Sequence, residues 1–245
     1  MRIALISDIH ANLQALSAVL EEMEHQKLDA VWNLGDLVGF GAYPNEVTKI
    51  LRRGEVWSIS GNIDKAVIGV KKIEKNPELE KPSPDMWKAV SWTYHQLTPK
   101  NRDYIKGLPK KMRIRANGMK IMGVHASPDS KEESLRPDTP ESRFKELAAL
   151  VKSDIVLIGH SHFPFANQVD GVWFVNPGSV GRPLDGDPRA SYAVLELRKK
   201  SITVEHYRVE YDVAGAAAAI REFGLPDFYA RMLELGKRPE EEAGE

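Results

Sequence analysis

The 245-residue chain contains no cysteine, which excludes disulfides, thiolate zinc sites, iron–sulfur clusters and a cysteine nucleophile. Any metal must then be held by nitrogen and oxygen ligands. Long apolar runs are missing too: none approaches the ~18 residues that a membrane span needs. Asp8 and His10 interrupt the opening MRIALISDIH before a secretory cleavage pattern can form. The expectation is a cytoplasmic protein that neither spans nor anchors in a membrane. Charge of one sign is not in excess, because 34 Lys and Arg face 35 Asp and Glu for a formal net charge of -1. The broad basic surface of a nucleic-acid binder is therefore not expected, whereas a nucleotide or another small phosphorylated substrate is compatible. Repeats and low-complexity blocks are also absent. The length suits one large domain or two small ones, with a core that needs no covalent staple.

What is present begins as β-α-β-α-β. Arg2 to Ile6 is a short apolar strand, and Leu13, Leu16, Leu20 and Met23 recur at helical spacing behind an Asn12 cap. Ala30 to Leu34 reads as a second strand, Pro44 to Arg53 as a helix and Glu55 to Ser60 as a third strand, an order that favours a parallel sheet. Lys65 to Pro84 is lysine-rich with three prolines and reads as an irregular excursion outside the core, followed by helices near Asp85 to Gln96 and from Thr98-Pro99. Hairpins are expected where Asn117-Gly118 joins Met112–Ala116 to Met119–Val124, and where Asp170-Gly171 joins Phe165–Val169 to Val172–Val175. A helix near Glu141 to Lys152, a strand Ile155 to Ile158 and a last strand pair over Ser191–Leu197 and Ser201–Val209 complete a mixed sheet system. Val213 to Leu235 reads as helix broken at Gly224 to Pro226, before a frayed polar end. The expected organisation is one domain over 1–245, with a polar and helical excursion over about 65–110 and a helical segment over about 213–235.

The chemistry-bearing residues share one placement. Asp8 and His10 follow the first strand at i and i+2, which in extended backbone points both side chains one way. Asp36 follows the second strand, Asn62 the third, His125 ends the Met119 strand, and Gly159-His160-Ser161-His162 follows the Ile155 strand. Each lies past the carboxyl end of a strand, where open α/β sheets place ligand sites. Four of the seven histidines belong to this set. Gly35, Gly61 and Gly159 fit the tight bends between strand and loop. Imidazole and carboxylate without thiolate suit zinc, iron, manganese, nickel or cobalt alike.

In this order the blocks Asp8-Ile9-His10, Gly35-Asp36, Gly61-Asn62-Ile63-Asp64, His125 and Gly159-His160-Ser161-His162 resemble the calcineurin-like metallophosphoesterases. Asn176-Pro177-Gly178-Ser179-Val180-Gly181 is similar to the small phosphodiesterases of bacteria and archaea within that family. The resemblance implies a four-layer α/β/β/α sandwich of two mixed sheets. It also implies two divalent metal ions: Asp8, His10 and His162 on one, Asn62, His125 and His160 on the other, and Asp36 bridging. Two such cations outweigh two carboxylates and a bridging hydroxide, and the residual positive charge would attract a phosphate for in-line attack by that hydroxide. The implied activity is metal-dependent hydrolysis of phosphodiester or phosphomonoester bonds.

Many members carry histidine after the Gly-Asn pair as a leaving-group acid, but here the position is Ile63. Loss of a general acid typically costs ~100–10,000-fold, so aryl and nucleotide leaving groups should be preferred. The same change keeps open a non-catalytic scaffold or protein-interaction module on the same fold, as in the family's retromer subunit. A nuclease is disfavoured by the missing basic groove. Asp64 is a candidate to orient a histidine, with a solvated loop carboxylate as the alternative. Arg182, Asp185, Asp187 and Arg189 read as a surface turn of mutual ion pairs, with a phosphate grip by an arginine as the second possibility.

Overall fold

The computed structural model describes residues 1–76, 78–199 and 201–239. β1 (Arg2–Ile6), α1 (Leu13–Glu24), β2 (Ala30–Asn33), α2 (Pro44–Arg53) and β3 (Trp57–Ser58) form the parallel opening. Asn12 caps α1 by accepting the Ala15 N–H at 3.0 Å, one of the donors that a helix start leaves unpaired. Next come α3 (Asn62–Lys75), α4 (Pro84–Gln96) and α5 (Pro99–Gly107), then β4 (Lys111–Ala116) and β5 (Met119–Val124). After α6 (Glu141–Leu150) the order is β6 (Ile155–Leu157), β7 (Phe165–Val169), β8 (Val172–Asn176), β9 (Ala190–Arg198) and β10 (Ser201–Val209). α7 (Val213–Glu222) and α8 (Asp227–Leu235) end the described elements. The expected frayed end lies outside the described residues from Glu240 onward.

The strands make two mixed five-stranded sheets, ordered β10-β9-β1-β2-β3 and β4-β5-β6-β8-β7. Their packing follows from side-chain alternation. On β1, Ile3 and Leu5 face the second sheet, while Ala4 and Ile6 face the helices. On β6, Ile155 and Leu157 join that same core between the sheets, while Val156 and, one residue past the strand, Ile158 join Phe144 and Leu147 of α6. A strand buried on both faces shows no polar alternation, which is why these runs read as continuously apolar. The result is the α/β/β/α sandwich. Both hairpin turns have positive φ at their two central residues, 48° and 82° at Asn117-Gly118 and 47° and 81° at Asp170-Gly171. That is the geometry whose twist matches paired strands.

The expectation of an irregular, non-core segment from Lys65 is corrected. α3 runs through Lys75, and Val67 and Val70 are fully buried in the same cluster as Ile6 and Leu37. Ile63, Val67 and Val70 stand at helical spacing, and the three prolines that signalled irregularity, at 77, 82 and 84, all follow the helix end. β3 is shorter than expected, two residues in place of six.

Candidate metal centre

The structure brings all seven residues of the sequence-based set to one rim. Asp8 and His10 follow β1, Asp36 follows β2, Asn62 opens α3, His125 follows β5, and His160 and His162 follow β6. The loops are tied to one another through backbone: Asp8 N–H donates to Gly35 O, and His10 N–H to Asp36 O, both at 3.0 Å. Gly159 N–H donates to His125 O at 2.8 Å in the other sheet.

The extended-backbone account of Asp8 and His10 does not hold. Both have left-handed backbone, with φ of 54° and 50°, as do Asp36 at 54°, His160 at 63° and His162 at 64°. Each such non-glycine residue costs on the order of 1–3 kcal/mol and persists where surroundings over-determine it, as at ligand clamps. The loops coil toward the centre, and this coiling is what makes the side chains converge.

The two carboxylates are held in the same manner. Asp8 Oδ2 accepts the His160 N–H at 3.0 Å, and Asp36 Oδ1 accepts the Ile63 N–H at 2.8 Å. The second oxygen of each faces a ring of imidazole nitrogens. Asp8 Oδ1 lies 3.3, 3.8 and 3.9 Å from Nε2 of His162, His125 and His10. Asp36 Oδ2 lies 3.3 Å from His125 Nε2 and 3.9 Å from His10 Nε2. Asn62 Oδ1 sits 2.9 Å from His125 Nε2 and 3.1 Å from His160 Nδ1. Asp8 and Asp36 are almost wholly buried, yet Asp8 Oδ1 has no hydrogen-bond donor. A buried carboxylate oxygen without a donor carries a large desolvation cost unless a cation meets it.

The outer ring nitrogens complete the case. His125 Nδ1 donates to Leu34 O at 2.8 Å, His162 Nδ1 to Arg182 O at 2.5 Å, and His160 Nε2 to Glu132 O at 3.2 Å. Each bond leaves the inward nitrogen with its lone pair, the form in which imidazole binds a metal. For His125 that lone pair then faces only oxygen acceptors, an arrangement that requires a cation between them. A proton serves when no other cation does: burial, the largest single influence, pulls the His125 pKa down, but the charge and hydrogen bond of Asp36, the Asp8 charge and the Leu34 carbonyl together outweigh it and the value rises to about 9. Burial also opposes the Asp8 charge, yet His162 and its neighbours hold that carboxyl well below its usual range. His10 goes the other way, lowered by burial and then by Arg182. Asp8, His10 and His162, and likewise Asp8, Asp36 and His125, offer ligand atoms within 4.8 Å of one another and could each hold a metal. Asp8 belongs to both groups, whereas Asp36 belongs to the second and has its Oδ2 3.9 Å from His10 Nε2 of the first.

Two neighbours, Asp64 and Arg182, differ from expectation, and Ile63 adds a backbone contact. Asp64 neither orients a histidine nor meets solvent; it is fully buried and accepts the N–H groups of Asp36, Leu37, Val38 and Gly61 at 2.9–3.2 Å. It thereby ties the Asp36 loop to the start of α3. Burial and the Asp36 charge push its pKa up to about 7 against the pull of those donors. Ile63, only 5% exposed, packs into the helical core and contributes to the site through its backbone N–H. Arg182 leaves the surface turn and lies over the Phe40 ring at 4.4 Å, while Asp187 pairs with Arg189, and Asp185 with Arg208. Phe40 in turn stands 5.1 Å from the His10 ring. The carbonyls of Leu34, Arg182 and Glu132 escape sequence reasoning because every residue carries one.

The chain is similar to known proteins along most of its length. The family model described as "Calcineurin-like phosphoesterase superfamily domain" matches residues 1–200. An uncharacterized protein of Methanocaldococcus jannaschii is 33% identical over 96% of this chain and 98% of its own. The crystal structure of a metallophosphoesterase from Sphaerobacter thermophilus covers 96% of this chain and 99% of its own, at 33% identity and a TM-score of 0.79. Phosphodiesterase YfcE of Escherichia coli is 42% identical over 52 residues, 21% of this chain and 28% of its own.

Proposed function

The chain belongs to the calcineurin-like phosphoesterase superfamily, and from that footing we propose that it hydrolyses phosphodiester or phosphomonoester bonds of a small phosphorylated substrate with two divalent cations. The observation that carries this reading is the pair of carboxylates, each anchored by one oxygen and turning the other toward histidine nitrogens 3.3–3.9 Å away. Asp8, His10 and His162 would hold one cation, Asn62, His125 and His160 the other, with Asp36 between. Such ions supply Lewis acidity toward a phosphate and a water activated for in-line attack.

The chain's own residues prepare that chemistry. The carbonyls of Leu34, Arg182 and Glu132 keep three histidines in one orientation, so that little reorganisation accompanies binding. Asn62 supplies an uncharged oxygen where a third carboxylate would cancel positive charge. Arg182, held against Phe40, adds a fixed cation beside His10. Ile63 offers no proton to a leaving group, which favours substrates that release an aryl or nucleotide oxygen. Protein loaded with manganese, nickel or cobalt should hydrolyse p-nitrophenyl or bis-p-nitrophenyl phosphate, and D36N should abolish turnover. Metal bound without turnover, across metals and substrates, would instead favour a scaffold.

A further inference from the structure

A cleft of about 210 Å³ opens beside the centre, with Asn62 and His125 in one wall and Lys65, Lys110, Lys111 and Lys131 around it. The lysines come from three segments: α3, the run into β4, and the loop after β5. Lys111 pairs with Val124 across the β4-β5 ladder, one residue before His125. Among the described residues none of the four has an acidic partner within ion-pair distance, and the cleft's one carboxylate, Asp129, is already taken by Arg143 at 2.7 Å. Burial and then the Lys110 charge hold the Lys65 ammonium below its usual range. Four unpaired cations around one concavity repel each other, and an anion removes that cost.

We propose that this lysine cleft binds a second phosphate of the substrate, next to the phosphate that is cleaved, so that the preferred substrate is a small bisphosphate or polyphosphate. The proposal rests on the phosphoesterase reading for the scissile group alone. The cleft is smaller than the ~300–1,000 Å³ pocket of a whole ligand, which suits one substituent of a substrate whose reacting group lies at the centre. Its cations are a local patch on a chain of net charge -1, which favours a small polyanion over a nucleic-acid strand that needs an extended track.

Two measurements on the full chain test this separately. In the first, inorganic tripolyphosphate is titrated by calorimetry into metal-free protein. Wild type should bind it, more weakly as salt rises, and K65M/K131M should bind at least ~10-fold more weakly. Equal binding by the two proteins, no binding by wild type, or tighter binding of a single-stranded hexanucleotide would each overturn the proposal. In the second, manganese-loaded enzyme releases phosphate from a nucleoside 3′,5′-bisphosphate and from the 5′-monophosphate. The ratio of their kcat/KM values should exceed ~10 in wild type and fall toward one in K65M/K131M, and also in K110M/K131M. A wild-type ratio of one overturns the proposal, whereas no hydrolysis of either compound overturns the phosphoesterase reading and leaves the calorimetry to decide the cleft.

Discussion

At the scale of the residue, the decisive atoms are inward-facing oxygens and nitrogens, and on Asp8, Asp36, His125, His160 and His162 the outer atom of the same side chain already has a partner. His125 makes this measurable. Its pKa in the metal-free fold is raised to about 9, against ~6.5 in an unfolded chain. A raised folded value contributes stability that is complete below pH ~6.5 and lost as pH rises through about 9. Metal-free protein should therefore show a falling melting temperature between those limits, and H125Q should lack that fall. Metal affinity should strengthen across the same window, since the ligand must shed its proton first. A wild-type melting temperature that is flat across the window contradicts the assignment. Asp64 gives a second test. D64N replaces one acceptor oxygen by an amide donor facing backbone N–H groups, and an unpaired buried donor costs about 1–3 kcal/mol. Urea unfolding should show that loss together with weaker metal binding, because the Asp36 loop is tied through Asp64. Unchanged stability would mean that these four hydrogen bonds do not form.

Elements position those residues, and some were far easier to read from sequence than others. The hairpins at Asn117-Gly118 and Asp170-Gly171 and the helix starts at Asn12 and Thr98 were legible because turn and cap chemistry is local. α3 was not, since its four lysines and the prolines beyond it outweighed three buried apolar positions. V67A should cost on the order of 2 kcal/mol in urea unfolding, as expected for removing buried methyl groups from a packed helix. A cost near zero would return the segment to the surface. The convergence of the seven candidate residues was legible because polar residues after apolar strands stand out. The left-handed backbone of Asp8, His10, Asp36, His160 and His162 was not, because only glycine advertises that conformation. Gly61 shows the coupling between element and site: a Cβ there would overlap Asp36 Oδ1, so the bend into α3 and the seat of Asp36 are one structure.

The whole molecule explains why the site is assembled from both halves of the chain. Two sheets share the core of Ile3, Leu5, Ile155 and Leu157, and stacking brings the carboxyl ends of β1, β2 and β3 beside those of β5 and β6. Neither sheet alone holds both Asp36 and His125. At this scale Ile63 bears on substrate choice: loaded enzyme should favour p-nitrophenyl over alkyl phosphates by ~100-fold or more, measured as kcat/KM. Equal rates on both would show that another group supplies the leaving-group proton. The central claim, that these seven side chains hold two cations, is tested most directly by anomalous diffraction from a manganese-loaded crystal. Two peaks should appear, one touching Asp8, His10 and His162, the other Asn62, His125 and His160, with Asp36 touching both. A single peak, or peaks away from these residues, would contradict it.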